Sequence, residues 1–316
     1  MTSMRILRAF AMSVCACLAL ANAGEAGVIA DVPFNYVDNR MVVACTMDGQ
    51  GPFYLIVDTG DPGVTITPEV ARKLAIPVRY RSGGSGAGNN TVRFGTTKLA
   101  DVSVGSLSFK NTEAAVFDLS EIRTKLGFPH LDGSIGYPLF ERYVIFVNVD
   151  RSTILVSSGR VKTPANATMT SLGMNGTTPV VAAKIDGITT TAIVDTGDRS
   201  SLTLFTPFAK RNGFYGKYPS KANIITGYGI GGPVRADVFT LPSLDVLGTH
   251  LTGIVTRASR QTGGAFVETA QGASIGTGLL KRFNVVWNYR NKTIVAWPSK
   301  YFNATDSFVA PKSAPQ

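Results

Sequence analysis

The hexapeptide Ile56-Val57-Asp58-Thr59-Gly60-Asp61 occurs again, residue for residue, as Ile193-Val194-Asp195-Thr196-Gly197-Asp198, 137 residues further on. In each copy a carboxylate ends an apolar run, Tyr54-Leu55-Ile56-Val57 or Ala192-Ile193-Val194. Placing an acid there costs desolvation unless something is gained. One such motif reads equally well as an aspartate-initiated turn after a core strand. Two in matched frames suit another use. If related halves bring both turns to a common cleft, the carboxylates share one proton and ionise in coupled steps. The ionised member can then take a proton from water while its partner donates to an amide carbonyl oxygen. That chemistry needs neither metal nor covalent intermediate, and it suits a chain with only two histidines, His130 and His250.

Positioning both aspartates requires two copies of one scaffold, and other landmarks keep nearly the same spacing. Met47-Asp48-Gly49 matches Ile185-Asp186-Gly187 as hairpin turns. Thr67-Pro68 matches Thr206-Pro207, each a helix start with Thr as cap and Pro in the first turn. Gly86-Ala87-Gly88 matches Gly227-Tyr228-Gly229, and Gly105 matches Gly248 as a turn between strands. Ser134-Ile135-Gly136 matches Ser274-Ile275-Gly276 at 140 residues, a register that continues without a gap to Thr153-Ile154 and Thr293-Ile294. Between the glycines lie short strand patterns with few helical windows. The expectation is an all-β, two-lobed fold with pseudo-two-fold symmetry and small helices. Its lobes are placed at residues 24–165 and 166–316.

The chain has 316 residues, 33 Gly, 16 Pro, only 16% charged residues and a net charge of +10. This excludes disordered, collagen-like and coiled-coil classes. Arg5 and Arg8, the apolar run Ala9 to Leu20, and Ala21-Asn22-Ala23 read as a signal peptide over residues 1–23. The expected product is exported, periplasmic or secreted, without a transmembrane anchor. Removing the leader takes Cys15 and Cys17 with it, leaving Cys45 as a buried structural thiol and no internal disulfide. The glycine run 83–88 lacks the Gly-Lys-Ser/Thr ending of a phosphate loop. Basic residues are scattered without interleaved aromatics, so no nucleic-acid surface is expected.

The paired hydrophobic-hydrophobic-Asp-Thr-Gly motifs, each followed by Ser-Ile-Gly, resemble the aspartic peptidases over roughly Asn35 to Trp297. The shorter lobes and absent paired cysteines resemble retropepsin-like bacterial aspartyl proteases more than secreted pepsins. The resemblance implies a pepsin/retropepsin-like fold with Asp58 and Asp195 as catalytic dyad. Thr59, Gly60, Thr196 and Gly197 would support it, and Ile135, Gly136, Ile275 and Gly276 would form the elements that the active-site loops thread. It implies an aspartic endopeptidase acting on peptide or protein substrates without metal or cofactor, as a monomer carrying an internal pseudo-dimer. Gly86, Gly88, Gly227, Tyr228 and Gly229 are either flaps over the cleft or ordinary hairpin loops. The chain departs from the family at Asp61 and Asp198, where Ser or Ala is usual. Pointing at the dyad, these acids would raise its pKa values. Pointing outward, the reading favoured, they cap the following turns, with Arg199 as partner in the second copy. The departure leaves a bilobal peptide-binding protein without turnover as the alternative function.

Overall fold

In the computed structural model, residues 27–311 are described. The expected leader at residues 1–23 lies outside the described residues. Two eight-stranded sheets carry the same strand order, and a six-stranded sheet joins them. In the first lobe the order is Asn35–Val37, Arg40–Met47, Gln50–Val57, Gly133–Ile135, Val64–Ile66, Leu107–Val116, Val92–Val104, Arg79–Gly84. In the second it is Gly173–Asn175, Thr178–Ile185, Ile188–Asp195, Ala273–Gly276, Leu202–Leu204, Thr249–Ser259, Gly232–Val246, Lys221–Gly229. An extra pairing curls each sheet back on itself, between Arg40–Met47 and Val92–Val104 and between Thr178–Ile185 and Gly232–Val246.

Local chemistry explains these elements. Asp48 and Gly49 both take positive φ, 49° and 75°, and Asp186 and Gly187 repeat this at 49° and 82°. Such Asp-Gly turns match the twist of a two-residue hairpin. Thr67 caps helix Pro68–Lys73, its hydroxyl accepting from Val70 N at 3.4 Å. The second copy departs from expectation here. Helix Thr206–Arg211 is capped at Phe205 without a side-chain bond, so Thr206 is its first helical residue. The Thr206 hydroxyl instead donates to Gln261 O at 2.8 Å and Ser259 O at 3.0 Å, tying the helix to the neighbouring strand.

The joining sheet runs Val28–Pro33, Thr153–Ser157, Val144–Asn148, Phe283–Asn288, Thr293–Pro298, Thr168–Ser171. At its centre Ile145 pairs with Trp287, Phe146 with Val286 and Val147 with Val285. With repeats offset by 140, this is the register of a strand meeting its own copy about a two-fold axis. Apolar faces of all three sheets merge into one core that spans both lobes, from Met47, Leu55 and Leu99 to Leu241 and Trp287. Cys45 lies in that core as a free, buried thiol. Among the described residues no helix is long and apolar enough to cross a membrane.

Candidate active site

In each lobe the repeated hexapeptide leaves its strand beside a short Ser-Ile-Gly strand. Leu55, Ile56 and Val57 run parallel to Gly133, Ser134 and Ile135, and Ala192 to Asp195 run parallel to Ala273 to Gly276. Ile135 and Ile275 are fully buried and pin these strands in the core. A Cβ at Gly136 would fall 2.1 Å from Asp61 O, and one at Gly276 2.3 Å from Ser200 O. Only glycine lets the Asp-Thr-Gly loop pass so closely.

The two loops are bound to each other by a reciprocal set of hydrogen bonds. Thr59 Oγ1 donates to Val194 O at 2.6 Å and accepts from Thr196 N at 3.0 Å. Thr196 Oγ1 donates to Val57 O at 2.7 Å and accepts from Thr59 N at 3.0 Å. Both threonines are buried. Thr196→Val would leave Val57 O and Thr59 N unpaired. It should lower stability by roughly 2–4 kcal/mol, as read from chemical denaturation. The double variant with Thr59→Val should lose less than the sum of the two.

This lock sets each aspartate carboxyl against the opposite loop, so that a Cβ on Gly197 would fall 2.3 Å from Asp58 Oδ2 and one on Gly60 3.0 Å from the Asp195 carboxyl. Gly60 N donates to Asp58 Oδ1 and Gly197 N to Asp195 Oδ1, each at 2.8 Å. Burial raises Asp58 well above the ordinary carboxylate range, and the charges of Asp195 and Asp61 add to it. Burial also pushes Asp195 up, to about 6, with the Asp198 charge raising it and hydrogen bonds from Asp58, Gly197 and Asp198 opposing. Among the described residues, no group of three or more His, Cys, Asp or Glu is placed to hold a metal ion.

Asp61 and Asp198 follow neither orientation wholly. Each accepts from the turn that follows, Gly63 N at 2.8 Å or Ser200 N at 2.9 Å, as a cap would. Both nevertheless line the cleft, and neither points outward. Ser134 Oγ donates to Asp61 at 2.5 Å and Ser274 Oγ to Asp198 at 3.1 Å. Burial raises Asp61. Burial presses on Asp198 too, but the Arg257 charge and the Ser200 hydrogen bonds hold it below the usual value. The expected partner Arg199 bonds elsewhere, to Asp38 through Nε at 2.7 Å and through Nη2. The residue on Asp198 is Arg257, at 2.6 Å, and sequence reasoning missed it. Its only advance sign is an arginine inside the strand-like run Ile254-Val255-Thr256-Arg257-Ala258.

Above the aspartates lies a cleft of about 400 Å³. The glycine hairpins meet over it, with Gly88 N donating to Ile230 O at 2.9 Å and Asn90 N to Gly231 O at 3.0 Å. The second tip is Ile230-Gly231, while Gly227, Tyr228 and Gly229 lie on the strand leading to it and line the cleft. Gly86 and Gly88 lie in the first tip, beyond strand Arg79–Gly84. The tips cross. Ile230 packs on the first lobe's Val42, Ile56, Leu119, Phe128 and Leu131, and Ala87 on the second lobe's Phe205, Val234 and Phe266. A third segment, unseen in the sequence apart from Gly263-Gly264, clasps the first tip. Ala265 N donates to Gly86 O at 2.8 Å, Gln261 Nε2 to Ala87 O at 3.1 Å, and Thr262 N to Asn89 Oδ1 at 3.0 Å.

The fold is that of a bilobal aspartic peptidase. It is similar to the aspartic proteinase from Irpex lacteus, with a TM-score of 0.54 and 17% identity over 88% of this chain and 99% of that one. Residues 43–139 match the family model described as aspartyl protease, so the first lobe carries the family's sequence pattern. A retropepsin-like aspartic protease from Rickettsia conorii shares 19% identity over 41% of this chain and 89% of its own, with a TM-score of 0.30. Comparison with curated proteins gives no match.

Proposed function

We propose that this protein is an aspartic endopeptidase that hydrolyses peptide bonds with the Asp58–Asp195 pair. The observation that supports this reading is the reciprocal threonine lock, which binds the two Asp-Thr-Gly loops to each other beneath the cleft they line. The ionised member of the pair removes a proton from water as its oxygen attacks the amide carbon. The protonated member gives its proton to the carbonyl oxygen, producing a neutral gem-diol. As the C–N bond breaks, the first carboxyl protonates the departing nitrogen and the second recovers a proton from the diol, which restores the starting state. The crossed flaps exclude water and hold an extended peptide against the pair. The leader-like sequence supports an exported enzyme, periplasmic or secreted.

The reading also fixes a pH dependence. Catalysis needs one carboxyl ionised and one protonated, and burial pushes Asp195 up to about 6 and Asp58 well above the ordinary range. The kcat/KM for a peptide should therefore rise through about pH 6 and fall only when the second proton leaves, well above the ordinary carboxylate range. Cleavage of an unfolded protein across the pH range tests this. An optimum below the ordinary carboxylate pKa of 3.8 would contradict it.

A further inference from the structure

The two ends of the cleft are symmetry mates in backbone but differ in charge. Thr65 pairs with Ala115 across parallel strands of the first lobe, and Thr203 pairs with Arg257 at the matching place in the second. Pro62 follows Asp61, whereas Arg199 follows Asp198. One end is therefore walled by Ala115, Phe117, Leu119 and Ile122, whereas the other adds Arg199 and Arg257, with Arg40 nearby, to apolar residues such as Val234 and Phe266.

The cationic end is built rather than incidental. All three arginines are at least nine-tenths buried. Arg257 Nη2 is fixed by Asp198 at 2.6 Å and by Ser200 and Thr203 at 2.7 Å, and its Nε donates to Thr203 Oγ1 at 3.1 Å. Its Nη1 has no hydrogen-bond acceptor among the described residues. That nitrogen lies 3.7 Å from where a Cβ on Gly227 would stand, and Gly227 lines the cleft. The Arg199 side chain borders the same gap, with its Cδ at 3.8 Å. With no side chain at position 227, the Arg257 Nη1 edge is left uncovered on the side of the hollow, the part of the cleft over Gly227. Two carboxylates, Asp38 and Asp198, answer three guanidiniums here, since Arg40 and Arg199 share Asp38. Burial loosens the Arg257 proton, and the charges of Arg199 and Arg40 work in the same direction against Asp198. An anion placed in the hollow would relieve that repulsion and satisfy the free Nη1 donors.

We propose that the hollow over Gly227 is a carboxylate-binding subsite, formed by Arg257 Nη1 and bordered by Arg199, so that the cleft selects a peptide with an apolar side chain at one end and a carboxylate at the other. This deepens the peptidase reading and rests on it. The carboxylate can come from a Glu or Asp side chain or from the free C-terminus of a short peptide. Either would meet a planar, pre-positioned guanidinium in surroundings of low polarity, where a neutral amide of the same shape forms the weaker bond.

The test is a set of peptides with a fixed apolar residue on one side of the scissile bond. On the other side they carry Glu, Gln or Leu, and each is made with a free or an amidated C-terminus. We expect kcat/KM for Glu over Gln to exceed about tenfold, with the difference mainly in KM. A preference that follows the free C-terminus instead would assign the hollow to the terminal carboxylate. Arg257→Ala alone would leave Asp198 buried without its cation and endanger folding. The Asp198→Ser/Arg257→Met pair therefore removes both charges together and should bring the Glu-to-Gln ratio of kcat/KM to about one, whatever the absolute rates. Calorimetric binding of statine peptides carrying Glu or Gln gives the same comparison without turnover. Equal handling of carboxylate and amide in both assays would overturn the subsite and leave the peptidase reading intact. Absence of cleavage from every peptide, with equal statine binding by the Asp195→Asn variant, would overturn the peptidase reading itself.

Discussion

Asp58→Asn and Asp195→Asn are each expected to lower kcat/KM by about 10³-fold or more while leaving the protein folded. Asparagine keeps the shape of the carboxyl and can still accept from Gly60 N or Gly197 N. What it loses is the exchangeable proton that the pair must share. Because the two groups act as one unit, the double variant should be little worse than either single one. Stability should move the other way. Both aspartates are raised in the folded state, so the folded protein binds more protons than the unfolded chain over that range. Wild-type stability therefore declines as pH rises from the unfolded carboxylate pKa toward the folded values. The asparagine variants escape that decline. They should melt at or above the wild type near pH 7 and match it at pH 3. A variant that loses activity by unfolding would show the opposite order.

The second large effect comes from a methyl group. Gly197→Ala would put a Cβ 2.3 Å from Asp58 Oδ2 and within 2.5 Å of the other carboxyl atoms, closer than real contacts allow. The same change at Gly60 places it 3.0 Å from the Asp195 carboxyl, which a shift of a few tenths of an ångström accommodates. Neither glycine has a positive φ, so alanine strains neither backbone. Gly197→Ala should therefore displace Asp58 specifically. It should cost about 10²-fold or more in kcat with a near-normal denaturation midpoint, since misplacement by about 1 Å has that effect. Gly60→Ala should lose markedly less. Steady-state kinetics on the two variants, with denaturation curves alongside, make the comparison. Equal losses would mean that each loop moves as a whole.

The lobes, the paired Asp-Thr-Gly loops and the Ser-Ile-Gly strands were legible because repetition marks equivalent places whatever the distant contacts are. Identical residues at a constant offset already implied that Ile145 to Val147 and Val285 to Trp287 play matching parts, and they meet at the two-fold axis. Departures from symmetry were not legible. Arg199 sits next to Asp198 in the chain, yet its guanidinium reaches Asp38, 161 residues away, while Arg257 arrives at Asp198 through strand pairing. Adjacency in sequence says little about direction once a loop turns between strands. The same holds for Gly227-Tyr228-Gly229, where glycine content pointed to a tip but the paired strand runs on to Gly229. The Gln261 to Ala265 clasp depends on contacts more than 170 residues apart, which no local pattern carries.

If Asp58 and Asp195 activate water against a peptide bond, the oxygen of that water ends in the new C-terminal carboxylate. Digestion of an unfolded protein in ¹⁸O-labelled water, with the products sequenced by mass spectrometry, tests it directly. New internal cleavages are expected at near-neutral pH, each new C-terminal carboxylate carrying ¹⁸O, and none from the Asp195→Asn protein. The same cleavages produced at the same rate by Asp195→Asn would contradict it.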